Sequence, residues 1–456
     1  MPTLQGRNAR PPTRRRVWLV LLSWTAIWSA LATPGGGYSW HYFAQSAELI
    51  AHPDAAGAGL HLFARHPELQ FGPVAMLAAV PLNALGPVLG RVGAQAVLAL
   101  LGLLILHVLS TARQRLTGSR PPLTLLLSTG LLFLPVWCLV AVHFTHLDDA
   151  LALGFVALAV LTIAARRPNA TALLLAAAID SKPWALGFAA LILVLPRSQR
   201  LRAAVLIAAG VALSWLPFLM ADTGTIAVGR FSISNVGDSA LNALGVHTAS
   251  TPGWDRPAQI LLGVLVAVIC VRRGRWVAVP LAVIAARLLL DPQTYPYYSS
   301  GLLVATVIVD LLSTSRRLPV WSAAAAGWVI IDAAARALLP PAVGGDIRAV
   351  YCAGVLVALT LLPPPRRSAR ADRPDPDRTH VTAATASTKR AALTLGRPAP
   401  QTTVMRSTPT TWQRATSASP SRRSPSERTT SQEQATQRAG NRSRSGLPAA
   451  NRLPPR

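Results

Sequence analysis

Charge is scarce in this chain. Of its 456 residues, 14% are Asp, Glu, Lys or Arg, against roughly 25% in an ordinary soluble domain. Hydrophobic residues make up 51%. They fall in runs of about 18 or more residues with few or no charges, the length at which a segment reads as a membrane helix. A soluble globular enzyme and a fibrous protein are thereby excluded. Cysteine is scarcer still. Cys138, Cys270 and Cys352 each lie in an apolar stretch, and no Cys-x-x-Cys pair exists. A disulfide scaffold, a zinc ribbon and a redox dithiol are excluded, and the three read as small buried hydrophobes. A Walker loop, a dinucleotide fingerprint, a serine nucleophile elbow and a His-Glu-x-x-His helix are also missing. ATP-driven and nicotinamide chemistry are unsupported.

The charge that is present is one-sided. The net charge is +26, and half of it sits in residues 364–456, which hold 18 basic and 5 acidic residues. That stretch is rich in Arg, Ser, Thr and Pro, has Trp412 as its only aromatic, and shows no apolar period. It reads as a disordered cytoplasmic tail whose arginines could rest on anionic lipid. No nucleic-acid partner is needed to explain it.

Segment 1–16 is basic, with Arg7, Arg10, Arg14, Arg15 and Arg16, and the apolar run 17–33 follows. Ala30-Leu31-Ala32 could be a signal-peptidase site, but the many later spans favour an anchoring helix. Residues 34–71 form a long, non-apolar loop. Gly72–Leu89 carries Pro73, Pro81 and Pro87, a poor helix interior, and reads as an interfacial or re-entrant piece before a second span at 92–109. Further spans fall near 123–141, 150–165, 169–180, 183–195, 203–220, 258–271, 276–290, 298–313, 319–338 and 347–363. The pieces 169–180 and 183–195 are short for a bilayer core of about 30 Å, and suggest a broken or deeply tilted pair. The expected fold is an all-α integral membrane protein of about 12 transmembrane helices, its polytopic domain covering 17–363.

With the N-terminus inside, the inner loops hold Arg113/Arg115/Arg120, Arg166/Arg167, Arg197/Arg200/Arg202, Arg272/Arg273/Arg275, Arg316/Arg317 and Arg366/Arg367, and the loops between spans hold no acid. Arginine bias of this kind places both termini in the cytoplasm of a plasma-membrane protein. The other side collects 11 of the 13 acids of residues 1–363. Acids contribute little to orientation, so their gathering points to an extracytoplasmic binding or catalytic surface.

Three stretches could carry chemistry. The first loop holds Tyr38, Trp40, His41, Tyr42, Glu48, Asp54 and Glu68; its aromatics could form a sugar platform or an interfacial belt, and long loops are often functional. His143-Phe144-Thr145-His146-Leu147-Asp148-Asp149 stands at the mouth of a span. Asp148 and Asp149, with nearby imidazoles, could bind a divalent cation, orient a substrate hydroxyl, or simply favour a helix N-terminus. Asp180-Ser181-Lys182-Pro183-Trp184 holds the only lysine before residue 389. Lys182 could meet a phosphate or pair locally with Asp180. Arg287, followed by Asp291, is a second phosphate candidate, unless it snorkels to the interface. Asp332 and Arg336, four apart, are expected to pair.

Together these residues resemble the GT-C glycosyltransferases, most of all the actinobacterial polyprenol-phosphate-mannose-dependent mannosyltransferases. His146-Leu147-Asp148-Asp149-Ala150-Leu151 is similar to that family's Gly-His-x-Asp-Ala-Leu segment, and Lys182-Pro183-Trp184 to its lysine-proline turn. Phe71-Gly72-Pro73 followed by Pro81-Leu82 is similar to its aromatic-x-Pro and Pro-Leu run. The likeness covers roughly residues 15–365. It implies transfer of a sugar, mannose above all, from a polyprenyl-phosphate donor to a cell-envelope glycolipid or polysaccharide, with inversion. It also implies an acidic base in the first loop. The family places an Asp soon after the first span, where this chain has Tyr38-Ser39-Trp40-His41-Tyr42. Base duty would then fall to Glu68, nearest the Gly-Pro step, or to Glu48 or Asp54. Otherwise this chain is a degenerate relative. Tyr38, Trp40, His41, Tyr42, His146, Asp148, Asp149, Lys182, Trp184 and Arg287 would bind substrate, with Asp148 and Asp149 as candidate ligands of a divalent cation. The rival class is a multi-span transporter or flippase of envelope precursors.

Overall fold

Prolines set where the apolar chain breaks into helices. The computed structural model describes residues 13–53, 58–230, 232–313 and 318–361. Asp54, Arg316, Arg317 and the basic tail lie outside them. The helices are α1 (Arg14–Ala32), α2 (Trp40–Ala51), α3 (Leu62–Arg65), α4 (Pro73–Asn83), α5 (Pro87–Thr117), α6 (Leu123–Cys138), α7 (Leu147–Ala164) and α8 (Pro168–Ser181). They continue with α9 (Arg197–Ala221), α10 (Ala227–Arg230), α11 (Ala240–Ala243), α12 (Asp255–Arg272), α13 (Val279–Leu290), α14 (Tyr298–Leu312), α15 (Val320–Leu338) and α16 (Pro341–Leu361). Proline occupies the first turn of α4, α5, α8 and α13, where its missing N–H costs nothing. Among the described residues there is no strand, only one isolated bridge between Ser234 and Ser250.

Helices Pro87–Thr117, Leu123–His143, Leu147–Ala164, Arg197–Ala221 and Pro341–Leu361 are long and apolar enough to cross a membrane. α9 shows the bilayer's imprint: Leu201, Leu213 and Met220 are 76%, 70% and 78% exposed. Such a surface would be an aggregation liability in water and is at ease against lipid tails. α14 is the opposite, buried from Ser299 to Leu312, and so forms the centre of the bundle. This is an all-α, membrane-embedded protein.

Two expectations change. The segment 72–89, expected to be a poor helix interior, carries the helix α4 despite Pro81 within it. Pro73 and Pro87 each start a helix, so α5 begins five residues before the expected span and continues for 31 residues. Residues 34–71 are also not a plain loop. Their described residues include α2, a 3-10 turn at Gly59–His61 and α3. Phe63 docks on Trp215 and Phe218 of α9, with ring centroids 4.9 and 4.8 Å apart.

The short pair is real but uneven. α8 is an α-helix of 14 residues, whereas Pro183–Val194 is a 3-10 helix of 12. At about 2.0 Å per residue that segment spans about 24 Å, against about 18 Å as an α-helix. The tighter winding lengthens the segment, which still falls short of a bilayer core of about 30 Å.

Arginine marks one pole of the bundle. Arg113 donates to Leu311 O and Ser313 O at 2.9 and 3.1 Å, Arg200 to Leu193 O and Leu195 O at 2.6 and 2.9 Å, and Arg275 to Leu359 O at 3.1 Å. Each satisfies carbonyls left open at a helix end. The opposite pole, at the end of α8 and the start of α7, carries the acids.

Candidate functional site

The acidic pole is built around a strained turn. α6 runs into one turn of π-helix, Leu139–His143, a form that often marks functional positions. Thr145 then takes φ +50°, a genuine outlier for a β-branched residue. Neighbouring backbone holds the turn in place. Gly37 N–H donates to His143 O at 2.7 Å and Ser39 N–H to Phe144 O at 2.8 Å. The Gln95 amide donates to Val142 O at 3.0 Å. The turn delivers His146 as the residue capping α7, with Asp148 and Asp149 in that helix's first turn.

Both aspartates are buried, at 0% and 4% exposed. Asp148 Oδ1 accepts from His146 Nδ1 and from the Asp149 backbone N–H at 2.8 Å. Its Oδ2 accepts from Lys182 Nζ at 2.5 Å. Asp149 Oδ1 accepts from Trp184 Nε1 at 2.8 Å, with Arg287 Nη1 at 4.0 Å. Asp149 Oδ2 faces His146 Nδ1 at 3.1 Å as an ion pair and accepts no further hydrogen bond. Arg287 lies between two rings, its guanidinium carbon 4.3 Å from the centroids of both Trp184 and Tyr298. Its Nε is 3.6 Å from Asp291 Oδ2, and Asp291 Oδ1 accepts the Gln293 N–H at 2.9 Å. His146 stacks on Tyr297 at 4.2 Å, and Tyr297 on Tyr295 at 5.4 Å.

Burial works against protonation of His146. Asp148 and Asp149 outweigh it, and the imidazole pKa lies above its ordinary value. Burial raises the Asp291 carboxyl pKa, with Arg287 pulling the other way. The cluster thus sets three acids against Lys182, Arg287 and a readily protonated histidine, close to neutral in total. Such a balance is what buried charges require.

Lys182 is held by a close backbone approach. It is extended, at φ −147° and ψ 119°, between α8 and the 3-10 helix. Gly72 N–H donates to Ser181 O at 3.0 Å. A Cβ at Gly72 would stand 1.9 Å from Asp180 O, so only glycine fits. The segment leading into α4 is thereby clasped to the lysine turn.

His146, Asp148, Asp149, Lys182, Trp184 and Arg287, read from three separate stretches, therefore converge. Lys182 pairs with Asp148 and not with Asp180, and Arg287 is 8% exposed rather than snorkelling. The first-segment residues sit apart from these bonds. Tyr38 and Tyr42 are exposed, Tyr38 resting 5.0 Å from His143. His41 is exposed against Tyr42 at 3.9 Å. Trp40 is buried with its Nε1 unpartnered. Glu48 is exposed on α2, and Glu68 is exposed, accepting from His66 Nδ1 at 3.1 Å.

The sequence reading passed over Asp291, Tyr295, Tyr297 and Tyr298 as members of the cluster. Asp291 follows Arg287 by four residues, a spacing that alone suggests a pair. The Asp332–Arg336 pair is present at 2.8 Å, and Arg348 adds a bond to Asp332 at 2.5 Å. Arg336 also donates to Thr294 O at 2.7 Å, and Thr294 to Asp238 at 3.0 Å. This second network ties the loop that carries Asp291 and Tyr297 to α15 and α16.

No family model, curated protein or solved structure matches the chain. What the pole can do follows from its own residues. It offers two cations, two buried carboxylates and stacked aromatic rings. His146, Asp148 and Asp149 also offer ligand atoms within 4.8 Å of one another, as a divalent cation would need.

Proposed function

We propose that the chain is an integral membrane glycosyltransferase of twelve spans, its termini cytoplasmic and its acidic pole extracytoplasmic at the cell membrane. It moves a sugar, mannose first among them, from a polyprenyl-phosphate donor to a cell-envelope glycolipid or polysaccharide. The observation that carries this reading is the convergence of Lys182 and Arg287 beside Asp148, Asp149 and Trp184. Two cations at a membrane surface suit a lipid phosphate, and rings beside carboxylates suit a sugar.

The acceptor oxygen attacks the sugar's anomeric carbon as the bond to the donor phosphate breaks. The electron pair leaves on the phosphate, whose charge Lys182 and Arg287 stabilise. A carboxylate takes the acceptor proton. The leaving phosphate needs no general acid, unlike the leaving group in most glycosidases. Glu68 is the proposed base, with Glu48 and Asp54 as the other first-segment acids. Glu68 stands four residues before Gly72, hence at most about 14 Å from it along the chain, and Gly72 bonds to Ser181 beside Lys182.

Turnover of a radiolabelled polyprenyl-phosphate sugar in isolated membranes tests the reading. Glu68→Gln should lower kcat by about 10²–10⁴-fold with donor binding nearly unchanged. Unchanged turnover in Glu68→Gln, Glu48→Gln and Asp54→Asn alike would refute a first-segment base. No transfer by the wild-type protein would refute the class. A second reading, a transporter or flippase, is favoured by the break at Lys182 between two short segments, as in discontinuous transport helices. In that case the donor would cross the bilayer unconsumed.

A further inference from the structure

Carboxylates paired beside a histidine usually invite a metal ion, and the donor atoms here are close enough to hold one. A different cation is already there. Lys182 Nζ lies on Asp148 Oδ2 at 2.5 Å. The lysine is 17% exposed and the aspartate 0%. The Lys182 backbone is fixed in an extended step whose neighbour Ser181 is bonded to Gly72. Trp184 takes one oxygen of Asp149, and the other, the buried Oδ2, faces His146 Nδ1 at 3.1 Å. We propose that the Lys182 ammonium is the built-in cation of this site, that it stands where a divalent ion would sit, and that the site works without such an ion.

The physics is competition between like charges. An ammonium held on Asp148 repels a dication arriving a few ångströms away. At an effective dielectric near 20 this repulsion amounts to about a thousandfold in affinity or more. Removing the ammonium reverses the balance. Asp148 Oδ2 would then lose its cation, with ligand atoms of His146 and Asp149 within 4.8 Å of one of its own. Histidine with carboxylate oxygens and water is a ligand set that Mn²⁺ accepts. Lys182 therefore hides a latent divalent-cation site.

The test uses the purified full-length protein in detergent and Mn²⁺ alone as probe, with bound ion counted by electron paramagnetic resonance. Wild type should bind no Mn²⁺ at this site. Lys182→Met, which keeps the side-chain length, and Lys182→Gln should each bind one ion per chain. Their affinity should be at least about a hundredfold above the wild-type limit, and Mn²⁺ should raise their thermal midpoints. Adding Asp149→Asn to either variant should abolish that binding. Wild-type binding that Asp149→Asn removes would overturn the proposal. So would folded Lys182→Met and Lys182→Gln proteins that bind nothing. One arm rests on the glycosyltransferase reading: wild-type sugar transfer should survive a chelator, and loss restored by Mn²⁺ would also overturn the proposal. Absence of any transfer would instead count against the glycosyltransferase reading, while the Mn²⁺ measurements still decide the role of Lys182.

Discussion

Breaking the Lys182–Asp148 pair one side at a time should give unequal results. Asp148 is 0% exposed, and its Oδ2 has Lys182 as its partner. Its Oδ1 keeps His146 and the Asp149 N–H. Lys182→Met therefore strands half of a buried carboxylate. Removing one partner of a buried pair costs about 3–5 kcal/mol, and the surviving bonds on Oδ1 place this case near the lower end. Asp148→Asn removes the charge but keeps the shape. It leaves an ammonium that is 17% exposed and can find water, so the cost should be about 1–2 kcal/mol. The double variant Lys182→Met/Asp148→Asn strands no charge and should be more stable than Lys182→Met alone, with a coupling energy of about 2 kcal/mol. Thermal and denaturant unfolding in detergent, on all four proteins at one pH, measures the cycle. Equal single costs that simply add in the double variant would refute the pairing. Lys182 would then be a solvated cation beside an independently stabilised aspartate.

Gly72→Ala should be destabilising by about 1–3 kcal/mol or more, because its Cβ must move more than 1 Å to clear Asp180 O from 1.9 Å to the 3.0 Å limit. Gly327→Ala, where nothing lies within 4 Å, should be nearly silent in the same unfolding assay. Equal midpoints for the two would refute the clasp. His146 has a folded pKa above its ordinary value, so its stabilisation is fully present below about pH 6.5. It is lost as pH rises through the folded value. The stability gap between wild type and His146→Gln should shrink as the solution becomes alkaline, and a widening gap would contradict the pairing with Asp148. For topology, a membrane-impermeant thiol reagent applied from outside should modify a cysteine introduced at Leu60 and spare one at Ser119. The native cysteines are all buried and contribute no background; the reverse pattern would invert the proposed orientation.

Much of the fold was legible because the bilayer simplifies the code. Long apolar runs, prolines at helix starts and arginines at one set of ends are strong signals in a chain with so few charges. The failures share a physical cause. Pro73 and Pro87 were read as breakers of one segment, but proline at a first turn starts a helix as readily as an internal one breaks it. The 3-10 winding of Pro183–Val194 left no mark in the apolar pattern, because every face of that segment is hydrophobic. Residues 34–71 looked like a loop because their apolar residues are spaced irregularly. What fixes α3 there is tertiary, with Phe63 packed on Trp215 and Phe218.

The members of the site were more legible than their pairings. In an apolar protein an ionisable residue needs a partner or a task, so Asp148, Asp149, Lys182 and Arg287 stood out individually. Which would meet which depends on backbone direction. Residues two apart on a helix do not face each other, and the extended step at Lys182 turns it from Asp180 toward a different helix. The Arg287–Asp291 spacing was visible, but its consequence was not. Asp149, Arg287 and Asp291 alternate in sign, Arg348 also acts on Asp291, and Arg348 in turn pairs with Asp332. In such a row each charge is compensated by neighbours of opposite sign. Removing one exposes two like charges to each other, so single substitutions along it should cost more than any one contact. Paired substitutions that restore alternation should cost less than the sum. A ligand's charge entering beside Arg287 would therefore act first on Asp149 and Asp291, the two acids within 4.0 Å of its guanidinium.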